Sequence, residues 1–309
     1  MDISVVIVSW NARRHLIECL SSLWPELTGL RSEVIVVDNA STDGSSAAVL
    51  EQFPDVKLIQ NCENLGFARA NNIGMARSYG RYILLVNSDV LLLEGCVRKM
   101  FSYMERNPDA GVLGPRILNP DHTPQLSCTR FPTLRGALLC AVGLEAAFRS
   151  MRYFPHKGIE EVDVISGCFM MVRRRALDRV GPLDEAFFIY AEDKDWCKRF
   201  RDGGWKAIYF PHASAIHHGG ASSKNMPVSF YIEMQKANLQ YWEKHRGSTA
   251  RAVYSGTILV HQSIRFLRGC LLYAARPSRR ESSGHKIKRS GACIRWIFTG
   301  KGGLTPEGA

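Results

Sequence analysis

Residues 84–93 read LLVNSDVLLL. Seven of the ten are Leu or Val, the mark of a strand buried on both faces, yet Asn87, Ser88 and Asp89 interrupt the run. A carboxylate is costly to bury without a partner. The stretch therefore reads as a central strand that ends in a polar triplet, and it raises the question of what Asp89 pairs with.

Moving back from this strand, apolar β-branched runs alternate with segments of helical spacing. ISVVIVSW (3–10), EVIVVDNA (33–40) and VKLIQN (56–61) read as strands, and RYILLVNSD (81–89) as a fourth. Between them lie ARRHLIECLSSLW (12–24), DGSSAAVLEQF (43–53) and FARANNIGMARSY (67–79), with a further helix at EGCVRKMFSYMERN (94–107). Such alternation predicts an α/β fold with a Rossmann-like, mostly parallel central sheet flanked by helices. In these sheets ligands sit beyond the carboxyl ends of the strands. The polar residues gather there: Ser9 to Asn11, Asp38 to Ser41, Asn61 to Asn64 and Asn87 to Asp89.

Downstream, GPRILNPDHTPQLSCTRFPT (114–133) is rich in turn formers and reads as a loop. LRGALLCAVGLEAAFRSM (134–151) is an apolar helix candidate and VDVISGCFMMVRR (162–174) a strand. DEAFFIYAEDKDWCKRFRDGG (184–204) enters a helix that ends at Gly203–Gly204, and KAIYFPHASAIHHGGASS (206–223) reads as strand, turn and strand before a Gly/Ser loop. VSFYIEMQKANLQYWEKHRG (228–247) is a helix. The expected division is one domain over 1–247, with halves that meet at about 115 (1–115 and 116–247), followed by a basic amphipathic tail over 248–309.

Charge sharpens that division. The chain carries +11 over 309 residues, but the segment from Arg251 onward holds eleven Lys/Arg against two Asp/Glu, which leaves only +2 for the first 250. A nearly neutral body with a basic tail suits a tail that meets a polyanion, either an anionic membrane face or nucleic acid. The tail mixes Val253, Ile264, Leu267 and Leu271 with Arg265, Arg268 and Arg276, as a segment lying on an anionic membrane does. The nine cysteines follow no regular spacing, which points to a reducing cytoplasm rather than a disulfide framework. MDISVVIVSW lacks a basic n-region, so no signal peptide is expected, and no uninterrupted apolar stretch is long enough to span a bilayer.

Neither G-x-G-x-x-G nor G-x-x-x-x-G-K-[ST] occurs, against a dinucleotide-binding Rossmann enzyme or a P-loop NTPase. Four other blocks carry chemistry. Asp38 ends a strand, where its carboxylate can accept from a base or ribose; Asn39, Ser41 and Asp43 suit turn and cap roles. Asn87-x-Asp89 can hold a hard divalent cation. Glu192 and Asp193 begin a helix, where the dipole favours an ionised carboxylate, as a general base requires, while Asp195–Arg199 reads as a surface ion pair. His217 and His218 close a strand; as neighbours they point to opposite faces, so one can face the cleft.

With these blocks in order, the sequence resembles the family 2 glycosyltransferases of the GT-A fold, in their bacterial rhamnosyltransferase-like branch. The resemblance rests on VIVSWN (6–11), VVDNASTDGS (36–45), ENLGFARANNIG (63–74), LLVNSDV (84–90), ISGCFMMVRR (165–174), FFIYAEDKDWCKR (187–199) and IHHGGASS (216–223). It implies a nucleotide pocket at Val8, Ser9, Asn11, Asp38 and Asn39, and a donor-side loop and helix with Asn64, Gly66 and Asn71. Asn87, Ser88 and Asp89 match the D-x-D motif; its first Asp is Asn here, so Asp89 carries the metal, Mg²⁺ or Mn²⁺, together with His217, His218 being the fallback. Asp193, with Glu192 beside it, matches the catalytic base.

The implied activity is inverting, metal-dependent transfer of a sugar, rhamnose favoured, from a nucleotide-diphospho-sugar to a glycan or polyprenyl-linked acceptor in cell-surface polysaccharide synthesis. A deoxythymidine diphosphate donor ranks before a uridine one. The implied place is cytoplasmic, peripheral on the inner face of the plasma membrane, with no nucleic acid partner. Two other readings compete: a nucleotidyltransferase, which the Glu192–Asp193 and His217 block disfavours, and a non-catalytic nucleotide-sugar or nucleic-acid binder working through the basic tail.

Overall fold

The computed structural model describes residues 1–144, 158–219 and 228–302. The chain divides into two compact units, one made of 1–131 and 153–224, the other of 132–152 and 225–309.

The first unit is built on a nine-stranded sheet, and its parallel half comes from the alternation read above. Strands β1 (Ile3–Ser9), β2 (Ser32–Asp38), β3 (Lys57–Gln60) and β4 (Tyr82–Asn87) lie side by side in the order β3-β2-β1-β4, all parallel. Helices α1 (Arg13–Leu23), α2 (Ser45–Gln52) and α3 (Gly66–Ala76) are the crossovers. Side chains alternate across the sheet: Ile3, Val5 and Ile7 pack with Leu16, Leu20 and Val49 on one face, and Val6 packs with Ala68 and Met75 on the other. With both faces covered, the strands are apolar almost throughout.

Beyond β4 the sheet becomes mixed. After the short strand β5 (Val90–Leu92) and α4 (Cys96–Arg106), the chain forms β6 (Ala110–Leu118). The segment read as a loop from 114 is thus strand for its first five residues, because Ile117 and its neighbours pair with another strand rather than turning at once. The two-residue strand β7 (Cys128–Thr129) pairs with β9 (Val164–Ile165), off the main sheet, while β8 (Glu160–Val162) joins it. β10 (Phe169–Arg173) inserts antiparallel between β4 and β6. Ser166, Gly167 and Cys168 separate β9 from β10 where a single strand was expected.

Helices α6 (Arg174–Val180) and α7 (Glu192–Asp202) follow, and α7 ends at Gly203 as its Gly-Gly pair predicts. β11 (Lys206–His217) runs as one long strand, parallel to β6 and antiparallel to β5 and β8. The predicted turn inside it is an irregularity between Phe210 and Ser214, where the pairing with β6 shifts register without breaking. This shift takes up Pro211 to Ala213, so that Ile216 faces Leu118 at the end of β6 and His217 lies opposite Val90, next to Asp89.

The second unit is helical among the described residues. It contains α5 (Leu134–Ala141), α8 (Val228–Ala275) and α9 (Arg280–Thr299). The part of the predicted 134–151 helix beyond 144 lies outside the described residues, as does the Gly/Ser loop after Gly219. Ile232, Leu239, Ile258, Cys293 and Trp296 form its core. Gly247 interrupts α8 with φ 80° and ψ 176°, values open to glycine and not to the helix around it. No helix among the described residues is long and apolar enough to cross a membrane.

Candidate functional site

The carboxyl ends of β1, β2 and β4 meet in register. Ser9 pairs with Asp38 and Val8 with Asn87, so four of the sequence-predicted residues are brought together at one edge by the sheet itself. Asp38 is buried; Oδ2 accepts from the Ser41 N–H at 3.2 Å, while Oδ1 and the nearby Ser9 Oγ are buried with no hydrogen-bond partner. A buried polar atom without a partner is unusual in a finished protein and is what a ligand contact would satisfy.

Around them the loop residues hold one another. Asn11, at φ 48°, donates its N–H to Ser41 Oγ at 2.9 Å and accepts from the Thr42 N–H at 2.8 Å. Asp43 Oδ2 accepts from the Arg13 N–H at 2.8 Å, capping α1, and its Oδ1 accepts from Ser45 at the start of α2. Asn39 is fully engaged: its amide donates to Asn64 Oδ1 and the Gly66 carbonyl and accepts from Asn61 and the Leu65 N–H. It therefore shapes the loop before α3. Asn71 is likewise buried and bonded to the Phe67 carbonyl within α3. Gly66, at φ +79°, sits so close to Phe188 that a Cβ would lie 2.4 Å from the Phe188 carbonyl oxygen.

The polar triplet lies beyond β4. Asn87 and Ser88 are half-buried, and Asp89 is buried. His217 Nε2 stands 3.2 Å from Asp89 Oδ1, and the His218 N–H donates to the Asp89 carbonyl at 3.0 Å. Burial alone would raise the Asp89 pKa; the hydrogen bond and charge of His217 outweigh it and hold the carboxyl below its usual range. The other ring nitrogen of His217 meets Gln125 Oε1 at 2.6 Å. Gln125 has no freedom to flip, since its NH₂ donates to Asn119 Oδ1 at 2.9 Å and to the His217 carbonyl at 3.1 Å.

The proton of a neutral His217 ring thus belongs on Nδ1, and Nε2 turns a lone pair toward a carboxylate. A positive charge belongs between Nε2 and Oδ1 at 3.2 Å: a proton on Nε2, which makes the imidazolium–carboxylate pair that lowers the Asp89 pKa, or a cation that takes the proton's place. That separation is close to the roughly 3 Å expected for neighbouring ligands in an octahedral Mg²⁺ or Mn²⁺ site with bonds of about 2.1 Å. The donor set, one carboxylate and one imidazole steadied by an outer amide, fits such an ion.

At the start of α7, Asp193 is half-buried; its Oδ2 accepts from the Gly167 N–H at 3.3 Å. The Asn87 N–H donates to the Cys168 carbonyl, so Asp193 and the β4 end flank the same two-residue stretch. Burial pushes the Cys168 thiol up to about 12, with the Asp89 and Asp193 carboxylates adding to the effect, which places both near this thiol and makes it a poor nucleophile. Glu192 departs from the expectation of an ionised group. It is buried, Oε2 lacks a partner, and burial followed by the charge of Asp193 pushes its pKa up to about 8. Desolvation here outweighs the helix dipole.

Asp195 also departs. It is fully buried rather than at the surface, and it accepts from Arg199 Nε at 2.8 Å. Arg199 donates to the Val180 and Pro182 carbonyls at the end of α6, and that capping task draws the pair inside. His218 turns away from Asp89 toward α1, where its ring lies 4.9 Å from that of His15.

Three features were not foreseen. Gln125 sits among turn formers, with its partner 92 residues away. Gly167 is an ordinary-looking glycine between two strands. Tyr190 and Ala191 both take positive φ, 73° and 64°, immediately before Glu192, though neither is a residue type that favours it. Strain of this kind collects where a side chain must be aimed.

Comparison with known proteins gives the family and the fold. The model of the family described as glycosyl transferase family 2 matches residues 4–181. The chain is 32% identical over 263 residues, 79% of its length and 85% of the relative's, to an N-acetylglucosaminyl-diphospho-decaprenol L-rhamnosyltransferase of Mycobacterium tuberculosis. It is 27% identical over 258 residues, 79% of its length and 81% of the relative's, to the dTDP-rhamnosyl transferase RfbF of Shigella flexneri. A solved mannosyltransferase from Pyrobaculum calidifontis, in complex with GDP-Man and Mn²⁺, superposes with a TM-score of 0.55 at 17% identity, covering 95% of this chain and 87% of the other, which shows a shared fold.

Proposed function

The chain belongs to glycosyl transferase family 2 and is a glycosyltransferase, and from that premise we propose an inverting rhamnosyltransferase that uses a divalent cation. One observation supports the cation: the buried Asp89 carboxylate and the Nε2 of His217, which Gln125 orients toward it, lie at the spacing of neighbouring ligands. Asp89 and His217 are the residues that would hold Mg²⁺ or Mn²⁺. When bound, the ion supplies Lewis-acid stabilisation of the charge on the departing diphosphate.

The chain's own residues do the remaining work. Asp38 Oδ1 and Ser9 Oγ, buried and unpartnered, suit the N–H and O–H groups of a nucleoside. Asp193, presented by the strained Tyr190–Ala191 turn and steadied by Gly167, takes the proton of the acceptor hydroxyl as that oxygen attacks the anomeric carbon from the face opposite the diphosphate. Glu192, kept neutral by burial, suits this task less well.

The activities of the two relatives favour deoxythymidine-diphospho-rhamnose as donor and a polyprenyl-diphosphate-linked N-acetylglucosamine as acceptor. A lipid-linked acceptor suits a protein that lies on the cytoplasmic face of the membrane. Val253, Val260, Ile264, Leu267 and Leu271 recur at helical spacing along α8 and are all exposed, with Arg265 and Arg268 among them. This apolar, basic stripe fits an anionic lipid surface.

The test is transfer by the purified protein from deoxythymidine-diphospho-rhamnose to the lipid-linked acceptor, with and without added Mg²⁺ or Mn²⁺. Rhamnosyl product that disappears on chelation is expected. Full activity in chelator would overturn the metal assignment, and transfer from uridine-diphospho-sugars alone would overturn the donor.

A further inference from the structure

A second group of metal-ligating side chains lies on the other side of the β11 terminus. His15 and Glu18 are three residues apart on α1 and share a face; His218 follows β11. One ligand atom from each lies within 4.8 Å of the other two, and His15 Nδ1 is 3.6 Å from Glu18 Oε2. His15 Nδ1 and His218 Nε2 are both buried without a hydrogen-bond partner. Two imidazole nitrogens without partners, turned into one space with a carboxylate oxygen, are what a metal would satisfy.

The remaining atoms are already placed for that task. Glu18 Oε1 accepts from Arg14 Nε at 2.8 Å, which leaves Oε2 on the His15 side. The His218 N–H is anchored on the Asp89 carbonyl, and the alternation of an extended chain sends its ring away from His217. We propose that His15, Glu18 and His218 form a second cation site, separate from Asp89 and His217, selective for a borderline-soft divalent ion of the Zn²⁺ class. Two imidazoles and one carboxylate suit Zn²⁺, whereas Mg²⁺ prefers oxygen. Zn–N bonds of about 2.0–2.1 Å put tetrahedral ligands roughly 3.3 Å apart, so the His15–Glu18 spacing nearly fits and side-chain rotation closes the rest. The fourth position stays open. The ion joins α1, whose start flanks the pocket at Asp38, to the end of β11.

The inference does not depend on the transfer reading, and its readout is metal binding alone. Full-length Asp89→Asn protein, stripped with chelator, is titrated with Zn²⁺ by calorimetry, and with Co²⁺ as an optical probe. One equivalent per chain is expected, with the visible bands of a low-coordinate cobalt site. Adding His15→Gln or His218→Gln should abolish both, and Zn²⁺ should raise the melting temperature of the Asp89→Asn parent but not of these double variants. Far-UV circular dichroism of each variant verifies folding. Absence of Zn²⁺ binding in the folded Asp89→Asn protein would overturn the site. Binding that persists in both folded double variants would also overturn it, as the ion would then sit elsewhere.

Discussion

The imidazole of His217 is held between two acceptors, Gln125 Oε1 at 2.6 Å and Asp89 Oδ1 at 3.2 Å. Gln125 decides which nitrogen carries the proton, and Asp89 faces the other. In the proposed metal site the amide would act on the cation through His217 without touching it. Gln125→Leu is expected to raise the Mn²⁺ concentration needed for half-maximal activity about 10–100-fold, the usual cost of losing an outer hydrogen bond at a metal site. Activity at saturating Mn²⁺ should recover, whereas Asp89→Asn should not be rescued. An unchanged metal requirement in Gln125→Leu would remove the amide from this role.

Asp193→Asn keeps the hydrogen bond acceptor toward Gly167 and removes the proposed base. Transfer should fall about 10²–10⁴-fold, the range associated with a positioned general base. Donor affinity, followed by thermal shift, should hold. Loss of donor binding in step with activity would point to a structural role instead.

Glu192 predicts a pH dependence of stability. Its carboxyl titrates near 4.5 in the unfolded chain and about 8 in the folded one. Between these values the folded chain keeps a proton that the unfolded chain has released, so this group's contribution is full below about pH 4.5 and is lost as pH rises toward 8. Glu192→Gln keeps the shape without the titration. Its urea midpoint should fall less steeply between about pH 5 and 8 than that of the wild type. Parallel curves would refute the raised pKa.

Gly66→Ala forces a Cβ against the Phe188 carbonyl at a backbone angle that alanine avoids. A loss of about 1–3 kcal/mol is expected from chemical denaturation, with weaker donor binding because Asn39 and Asn64 are tied to the same turn. An unchanged denaturation midpoint would mean that the turn relaxes at no cost.

Leu267→Asp with Leu271→Asp places charge on the exposed stripe of α8. Flotation with anionic vesicles should drop sharply and transfer to a short water-soluble acceptor should persist. Equal flotation of wild type on zwitterionic and anionic vesicles would leave the basic residues without a part.

The parallel half of the sheet was legible because its strands are buried on both faces, and burial writes itself as unbroken apolar runs such as ISVVIVS. Polar residues at the ends of those runs marked the site edge for the same reason. The mixed half was harder: β10 reverses direction and β11 shifts register within PHAS, and neither event changes the local pattern enough to show. Gln125 and Gly167 act through partners far away in sequence, and nothing near them signals it. The states of Glu192 and Asp195 were misjudged because helix position was visible and depth was not.

The irregularity between Phe210 and Ser214 bears on how this site tolerates insertion and deletion. Upstream of it, an added residue can be absorbed where the pairing already slips. Downstream, from Ser214 onward, side chains alternate strictly, so one extra or missing residue exchanges the faces of adjacent histidines. A deletion there would bring His218 into the place of His217, between Asp89 and Gln125, and would take an imidazole away from His15 and Glu18. The paired histidines thus give the terminus of β11 a built-in spare imidazole toward Asp89, at the expense of the neighbouring cluster.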